Sequence, residues 1–267
     1  MQQVEHSQQY KIRLAKQFSR AARHYDSLAG VQRDIAADAM ALLPSWCGTL
    51  LDIGCGTGRI TRRLLPYSQK VIAMDLALGM LQHAWENDEG KAVSWLQGDA
   101  EHLAFADCTV DTVFSSMALQ WCASPMQVMT EIYRVLKVQG QAVLAIMSDG
   151  SFTELEQVWS QLDTQRHINQ FHTSDDWLKA AHKSGLNVKV SKQVYQTWHP
   201  NLRTLLASIR GIGANVLIKP EVEPSLAIGT VLSRSTLAKL ESHYLALSGE
   251  NRQLPLSYQI TFLQCVK

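Results

Sequence analysis

The sequence predicts an α/β protein: a mixed seven-stranded sheet with helices on both faces, plus a helical cap inserted before the last strand. Three observations predict it. Short apolar runs alternate with amphipathic helical stretches from residue 49 to 147. A glycine-rich turn joins the first such run to the stretch after it. A last alternating run closes the chain after a long, mostly helical excursion.

Taken in order, residues 28–43 place Leu28, Val31, Ile35, Ala39, Met40 and Leu43 at helical spacing, and Pro44 stops the pattern. Strands are expected at 49–53, 70–75, 93–96, 110–117 and 141–147, with helices at 58–65, 77–87 and 125–137 between them. That alternation means strands laid parallel, since each crossover needs a helix. Residues 151–163 and 174–184 read as helices and 187–196 as a strand. Residues 200–247 read as mostly helical with loops near 211–225, and 256–266 as a closing strand. The expected divisions are a helical lid over 1–45, a core over 46–196, a cap over 197–255 and the closing strand over 256–267.

Composition limits the function classes. The chain has 267 residues, 46% of them hydrophobic and 18% charged, which suits a folded globular protein. With 25 Lys+Arg against 24 Asp+Glu, no strongly basic domain is available for nucleic acid. Lys11, Arg13, Lys16, Arg20, Arg23 and Arg33 nevertheless cluster around a single acid, Asp26, and an acidic partner can dock there. The five cysteines are odd in number and form no CxxC pair. Neither a disulfide scaffold nor a zinc ribbon is expected, and a reducing, cytoplasmic location fits. No apolar run approaches the length of a membrane span, and the polar start lacks a signal-peptide core. The histidines lie at no metal-ligand spacing, so no metal is predicted.

The strongest local signal is Leu50-Leu51-Asp52-Ile53-Gly54-Cys55-Gly56-Thr57-Gly58. A dinucleotide fingerprint needs a glycine at 59, where this chain has Arg59. A pyrophosphate also disfavours a carboxylate beside the loop. An aminoacyl ligand carrying an ammonium prefers one, and Asp52 stands two residues ahead of Gly54. The loop therefore points to an adenosine ligand without phosphates. Asp75 ends the second strand, where a carboxylate accepts from both ribose hydroxyls. Asp99 follows Gly98 after the third strand, where it can accept from an adenine amino group while Ala100 offers its backbone N–H.

These residues together resemble the class I S-adenosylmethionine-dependent methyltransferases, whose fold is Rossmann-like. The resemblance implies that the glycine loop (Gly54, Cys55, Gly56, Gly58) and Asp52 hold the methionine moiety, Asp75 the ribose, and Asp99 and Ala100 the adenine. Leu76, Met80 and Met117 would complete the cofactor site. The turn Leu136-Lys137-Val138-Gln139-Gly140 departs from the Leu-Lys-Pro-Gly-Gly form frequent in that superfamily. Flanking segments narrow the likeness: Phe18 through Asp26, Ala118-Leu119-Gln120-Trp121-Cys122, Ser208 through Asn215, and Leu256-Ser257-Tyr258. Together they resemble the malonyl-acyl-carrier-protein O-methyltransferases of biotin synthesis. That resemblance implies methylation of the free carboxylate of a malonyl thioester, carried by acyl carrier protein or coenzyme A. Other readings are a small-molecule carboxyl or quinone-precursor methyltransferase of the same fold, and a non-catalytic cofactor-binding module.

A carboxylate acceptor is ionised at neutral pH and needs no general base. Alignment and exclusion of water are then the enzyme's tasks. Arg210, beside Gly211 and Gly213, is the candidate cation for the acceptor, and Tyr25 the candidate lid over the reacting centre. Gln120 and Trp121, just past the fourth strand, are expected to line the acceptor pocket. Arg203 and Arg210 of the cap are a second candidate dock for an acidic carrier.

Overall fold

A computed structural model describes residues 2–163, 167–211, 233–247 and 253–267, with the side chains of 2–7 and 234 outside the description. Its sheet contains β1 (Thr49–Ile53), β2 (Lys70–Asp75), β3 (Val93–Gln97), β4 (Val110–Ser116), β5 (Leu136–Met147), β6 (Asn187–His199) and β7 (Leu254–Val266). The order is β3-β2-β1-β4-β5-β7-β6. β1 to β5 run parallel, and β7 enters antiparallel between β5 and β6. The order reverses direction between β1 and β4, and such a switch point leaves a crevice at the carboxyl ends of the strands.

The described helices are α1 (Gln2–Leu28), α2 (Gly30–Met40), α3 (Thr61–Leu64), α4 (Leu78–Glu86), α5 (Pro125–Val135), α6 (Thr153–Ser160), α7 (Ser174–Lys183), α8 (Leu202–Gly211) and α9 (Arg234–Leu247). None among the described residues is long and apolar enough to cross a membrane. The central strands β1, β4, β5 and β7 are largely buried on both faces, whereas the edge strand β6 is mostly exposed. Leu50, Phe114, Val143, Ala145 and Phe262 pack into one core with α2, α6, α8 and α9. Their neighbours Leu51, Val113, Ala142, Leu144 and Leu263 pack into a second core with α5 and α7. The period-2 alternation of strand side chains produces this division.

The expected strands and the central helices are present, with three shifts. The helix expected over 28–43 is α2 alone, because α1 ends at Leu28 and the chain turns at Ala29. Leu136 is extended rather than helical, so α5 stops at Val135 and β5 begins five residues before the expected start. Gln139 bridges that early stretch with a positive φ of 66°, and its N–H donates to the Lys267 carbonyl. The edge strand β6 and its neighbour β7 overrun their expected limits, to His199 and back to Leu254, by pairing along thirteen residues. The expected cap lies partly outside the described residues. Its described helices α8 and α9 pack on each other and on β7, and α8 also touches α1.

Candidate active site

The site begins with the β1 turn. Gly54 adopts φ +75° and Gly56 φ +54°. A Cβ on Gly54 would lie 2.1 Å from the Ala118 Cβ, so the β1 and β4 ends approach closely only because the side chain is absent. A Cβ on Gly56 would meet no protein atom within 4 Å, and that open space is the cleft itself. Gly58 serves packing, since its Cβ would lie 2.3 Å from the Trp95 ring.

The cleft encloses about 800 Å³ at the carboxyl ends of β1, β2 and β4. Gly54, Gly56, Asp75, Leu76, Met80, Asp99, Ala100, Met117 and Trp121 all line it, so most of the cofactor residues read from the sequence converge. Asp52 and Cys55 face an adjoining cavity of about 550 Å³ together with Gly54 and Gly56. A third chamber of about 300 Å³ is aromatic, with Phe18, Trp121, Phe152 and Tyr258 in its walls and Gln120 beside them. Tyr25 and Met117 belong to all three. Met117 holds a left-handed φ of 58°, the kind of strain that persists where surroundings fix it at a site. Arg210 is exposed near the end of α8 and lines none of the three; Gly213 and its successors fall outside the described residues.

The carboxylates differ in setting. Asp75 accepts from the Gly56 N–H at 2.9 Å and the Ala77 N–H at 2.8 Å, which aims both oxygens along the cleft. Its remaining lone pairs suit vicinal hydroxyls. Burial raises its pKa, and the backbone donors oppose that rise. Asp52 is only 3% exposed and accepts from Thr61 Oγ1 at 2.6 Å. Burial pushes its pKa up to about 7, against the Thr61 hydrogen bond and with help from the charge of Asp75. An ammonium beside it would restore the charged form. The Cys55 thiol is raised well above its usual range by burial and by Asp75 and Asp52, so it stays protonated and is no nucleophile.

Helix α1, from the stretch read as a helical lid and as a basic surface, covers the cleft. Its Lys11, Leu14, Ala15, Phe18 and Tyr25 face inward at spacings of three, four and seven. Three polar ties hold it. Lys11 Nζ sits 2.5 Å from Asp99 Oδ2 and 2.5 Å from Glu101 Oε2. The Gly79 N–H donates to Ser19 Oγ at 3.1 Å. Thr57 Oγ1 donates to Asp26 Oδ1 at 2.8 Å, and Arg59 to the Asp26 carbonyl at 3.0 Å. Burial and the nearby Asp75 and Asp26 raise the Tyr25 phenol, so it is a donor at neutral pH and not a base. On the outer face Arg13, Lys16, Arg20 and Arg23 are exposed, spaced as one helical stripe, and pair with no acid among the described residues.

The residues fit S-adenosylmethionine. Buried Ser116 Oγ lacks a partner among the described residues and lines the cleft, the Gly56 backbone leaves room that a side chain would fill, and Asp75 and Asp99 stand along the wall with Asp52 in the adjoining cavity.

Comparison with known proteins agrees with this geometry. Residues 51–144 match the family model described as a methyltransferase domain. The chain is 35% identical over 265 residues to the biotin biosynthesis bifunctional protein BioHC of Cellvibrio japonicus, covering 96% of this chain and 50% of that one, so it spans about half of that bifunctional relative. It is 34% identical to a malonyl-[acyl-carrier protein] O-methyltransferase of Marinomonas, covering 95% of this chain and 93% of the relative. The protein of the same description from Yersinia pestis is 35% identical, with 94% and 90% covered. Among solved structures, the YcgJ protein of Bacillus subtilis superposes with a TM-score of 0.61 at 17% identity, covering 88% of this chain and 98% of that one. An S-adenosylmethionine-dependent methyltransferase of Mesorhizobium loti gives 0.52 at 16%, with 88% and 99% covered. At those identities the structural likeness speaks for the fold.

Proposed function

We propose that this chain, which belongs to the malonyl-[acyl-carrier protein] O-methyltransferase family, transfers a methyl group from S-adenosylmethionine to the free carboxylate of a malonyl thioester on acyl carrier protein. The observation that carries the acceptor is likeness along nearly the whole chain, 95% of it, which extends beyond residues 51–144 to the α1, α2 and β7 segments that supply the lid and part of the third chamber.

Asp52 would face the cofactor's ammonium, Asp75 its ribose, and Asp99 with the Ala100 N–H its adenine, while Leu76, Met80 and Met117 pack around it. When bound, S-adenosylmethionine supplies a methyl group on a positively charged sulfur. The chain's own residues supply the rest. Because the acceptor is ionised near neutrality, no residue need remove a proton. The Tyr25 phenol, protonated at neutral pH, stands at the junction of the three cavities, and with Phe18 and α1 it keeps water out. Gln120 and Trp121 bound the acceptor chamber. Arg203 and Arg210, seven residues apart and both exposed on α8, offer a second basic surface, and we assign them to docking an acidic carrier rather than to the carboxylate.

A comparison of malonyl-acyl carrier protein, malonyl-coenzyme A, free malonate and a phenolic acceptor tests the reading. Turnover of the carrier-bound substrate at least tenfold above the others is expected. Preference for free malonate or the phenol would replace it with a small-molecule methyltransferase, and cofactor binding without any methylated product would leave only a binding module.

A further inference from the structure

The scheme above leaves one buried amide without a role. Gln32, on α2, is 8% exposed. Its Oε1 is out of solvent and has no hydrogen-bond partner among the described residues. Side-chain amides in protein interiors are nearly always satisfied, and an amide tied at neither end among the described residues can turn to present its NH₂ in place of its oxygen, so this orphan marks a place for a ligand that accepts. Gln32 lines both the glycine-loop cavity and the aromatic chamber, and the residues common to those two are Tyr25, Gln32 and Met117.

The chamber has a second amide, Gln120, and the two are not equivalent. Gln120 Nε2 donates to the Met117 carbonyl at 2.7 Å, which leaves Gln120 Oε1 as a bare acceptor, also without a partner among the described residues. Gln32 is not pinned in this way, so its NH₂ can turn inward. Among the described residues no Lys, Arg or His lines the chamber. A carboxylate entering it therefore meets two neutral donors, the Gln32 amide and the Tyr25 hydroxyl, and one bare acceptor, Gln120 Oε1. Neutral donors orient a carboxylate without neutralising it, whereas a guanidinium in bidentate contact engages both of its oxygens.

We propose that Gln32 is a specificity-determining residue of the acceptor site, donating from its amide to the free carboxylate and holding it beside Tyr25, with Gln120 Oε1 turning that carboxylate away from itself. The proposal rests on the carboxyl-methylation reading.

Gln32→Leu and the more flexible Gln32→Met remove the donor while keeping the bulk, and Gln32→Glu replaces it with an acceptor of the same shape. For Leu and Met, kcat/KM with malonyl-acyl carrier protein should fall about 10- to 100-fold, mostly through KM, as for loss of a hydrogen bond to a charged group. Malonyl-acyl carrier protein titrated into the complex with S-adenosylhomocysteine should bind more weakly by the same factor. The Kd for S-adenosylmethionine should stay within twofold, and Glu should lose more than Leu. Both apolar variants within threefold of the parent, equal loss of cofactor affinity, or Glu no worse than Leu would each overturn the assignment. If the parent protein methylates no malonyl thioester, the carboxyl-methylation reading fails first and this inference goes with it; an active parent beside an equally active Gln32→Leu removes the Gln32 role alone.

Discussion

Asp52 links the cofactor to pH in a way that can be measured. It lies buried beside the glycine loop, with Thr61 Oγ1 as its hydrogen-bond donor, and its pKa is pushed up to about 7 from 3.8. The unfolded chain ionises this group near pH 4, and the folded chain keeps it protonated until about pH 7. Over that window the folded state binds the extra proton, so this residue erodes stability as pH rises, by about 1.4 kcal/mol per pH unit. Above the window the loss is constant at about 4 kcal/mol, the product of the shift and the free energy of one pKa unit. Asp52→Asn should therefore be more stable than the parent at pH 8 by about that much and equal to it below pH 4. A bound ammonium reverses the shift, because an opposite charge favours the carboxylate. At pH 6.5 about three-quarters of Asp52 carries a proton, and the cofactor's amine, with an ordinary pKa near 8, is already charged. Binding should then release about three-quarters of a proton. Calorimetric titrations with S-adenosylmethionine in two buffers of different ionisation enthalpy read that number directly. Asp52→Asn should release almost none and bind more weakly. No proton release by the parent, or the same release by the variant, would refute the placement of the ammonium against Asp52.

Other expectations follow from the same geometry. Gly54→Ala, with its Cβ 2.1 Å from Ala118, should lose at least about 2 kcal/mol of stability in thermal melts. Gly56→Ala, which projects into open cleft at positive φ, should lose only about 1 kcal/mol and instead weaken cofactor binding about tenfold by calorimetry. Lys11→Met breaks the contacts to Asp99 and Glu101, and about 2 kcal/mol of lost charged hydrogen bonding lowers Tm by about 4–8 °C. Stopped-flow release of S-adenosylhomocysteine should be faster in that variant because α1 is held less firmly. Arg20→Glu with Arg23→Glu, on the outer stripe, should lower kcat/KM for the carrier-bound substrate about tenfold at low salt and leave the coenzyme A thioester unchanged.

The cofactor half of the site was legible because it is local. The turn from Asp52 to Gly58 combines a strand, positive-φ glycines and an acid within seven residues. Asp75 and Asp99 follow at the tips of strands whose apolar runs are unmistakable. The acceptor half was less legible because distant segments build it. Phe18 and Tyr25 come from α1, Gln32 from α2, Met147 from β5, Phe152 from just before α6 and Tyr258 from β7. Apart from Tyr25, named as the lid candidate, each reads in isolation as an ordinary core position. The lid itself was expected over 1–45, but the inward row of Leu14 and Phe18 beside Tyr25 was not singled out, because the polar residues of this stretch drew notice to its charge. Gln139 shows another limit: no glycine marks its left-handed turn, so the start of β5 reads as a loop.

The most direct test of the central claim is to locate the transferred methyl group. Malonyl-acyl carrier protein incubated with the protein and S-adenosylmethionine should gain the mass of one methylene unit on the malonyl group, and fragmentation of the intact acyl arm should show loss of methanol, as for a methyl ester. An acyl arm that matches 2-methylmalonyl instead would place the methyl on carbon, and no gain despite bound cofactor would contradict the account altogether.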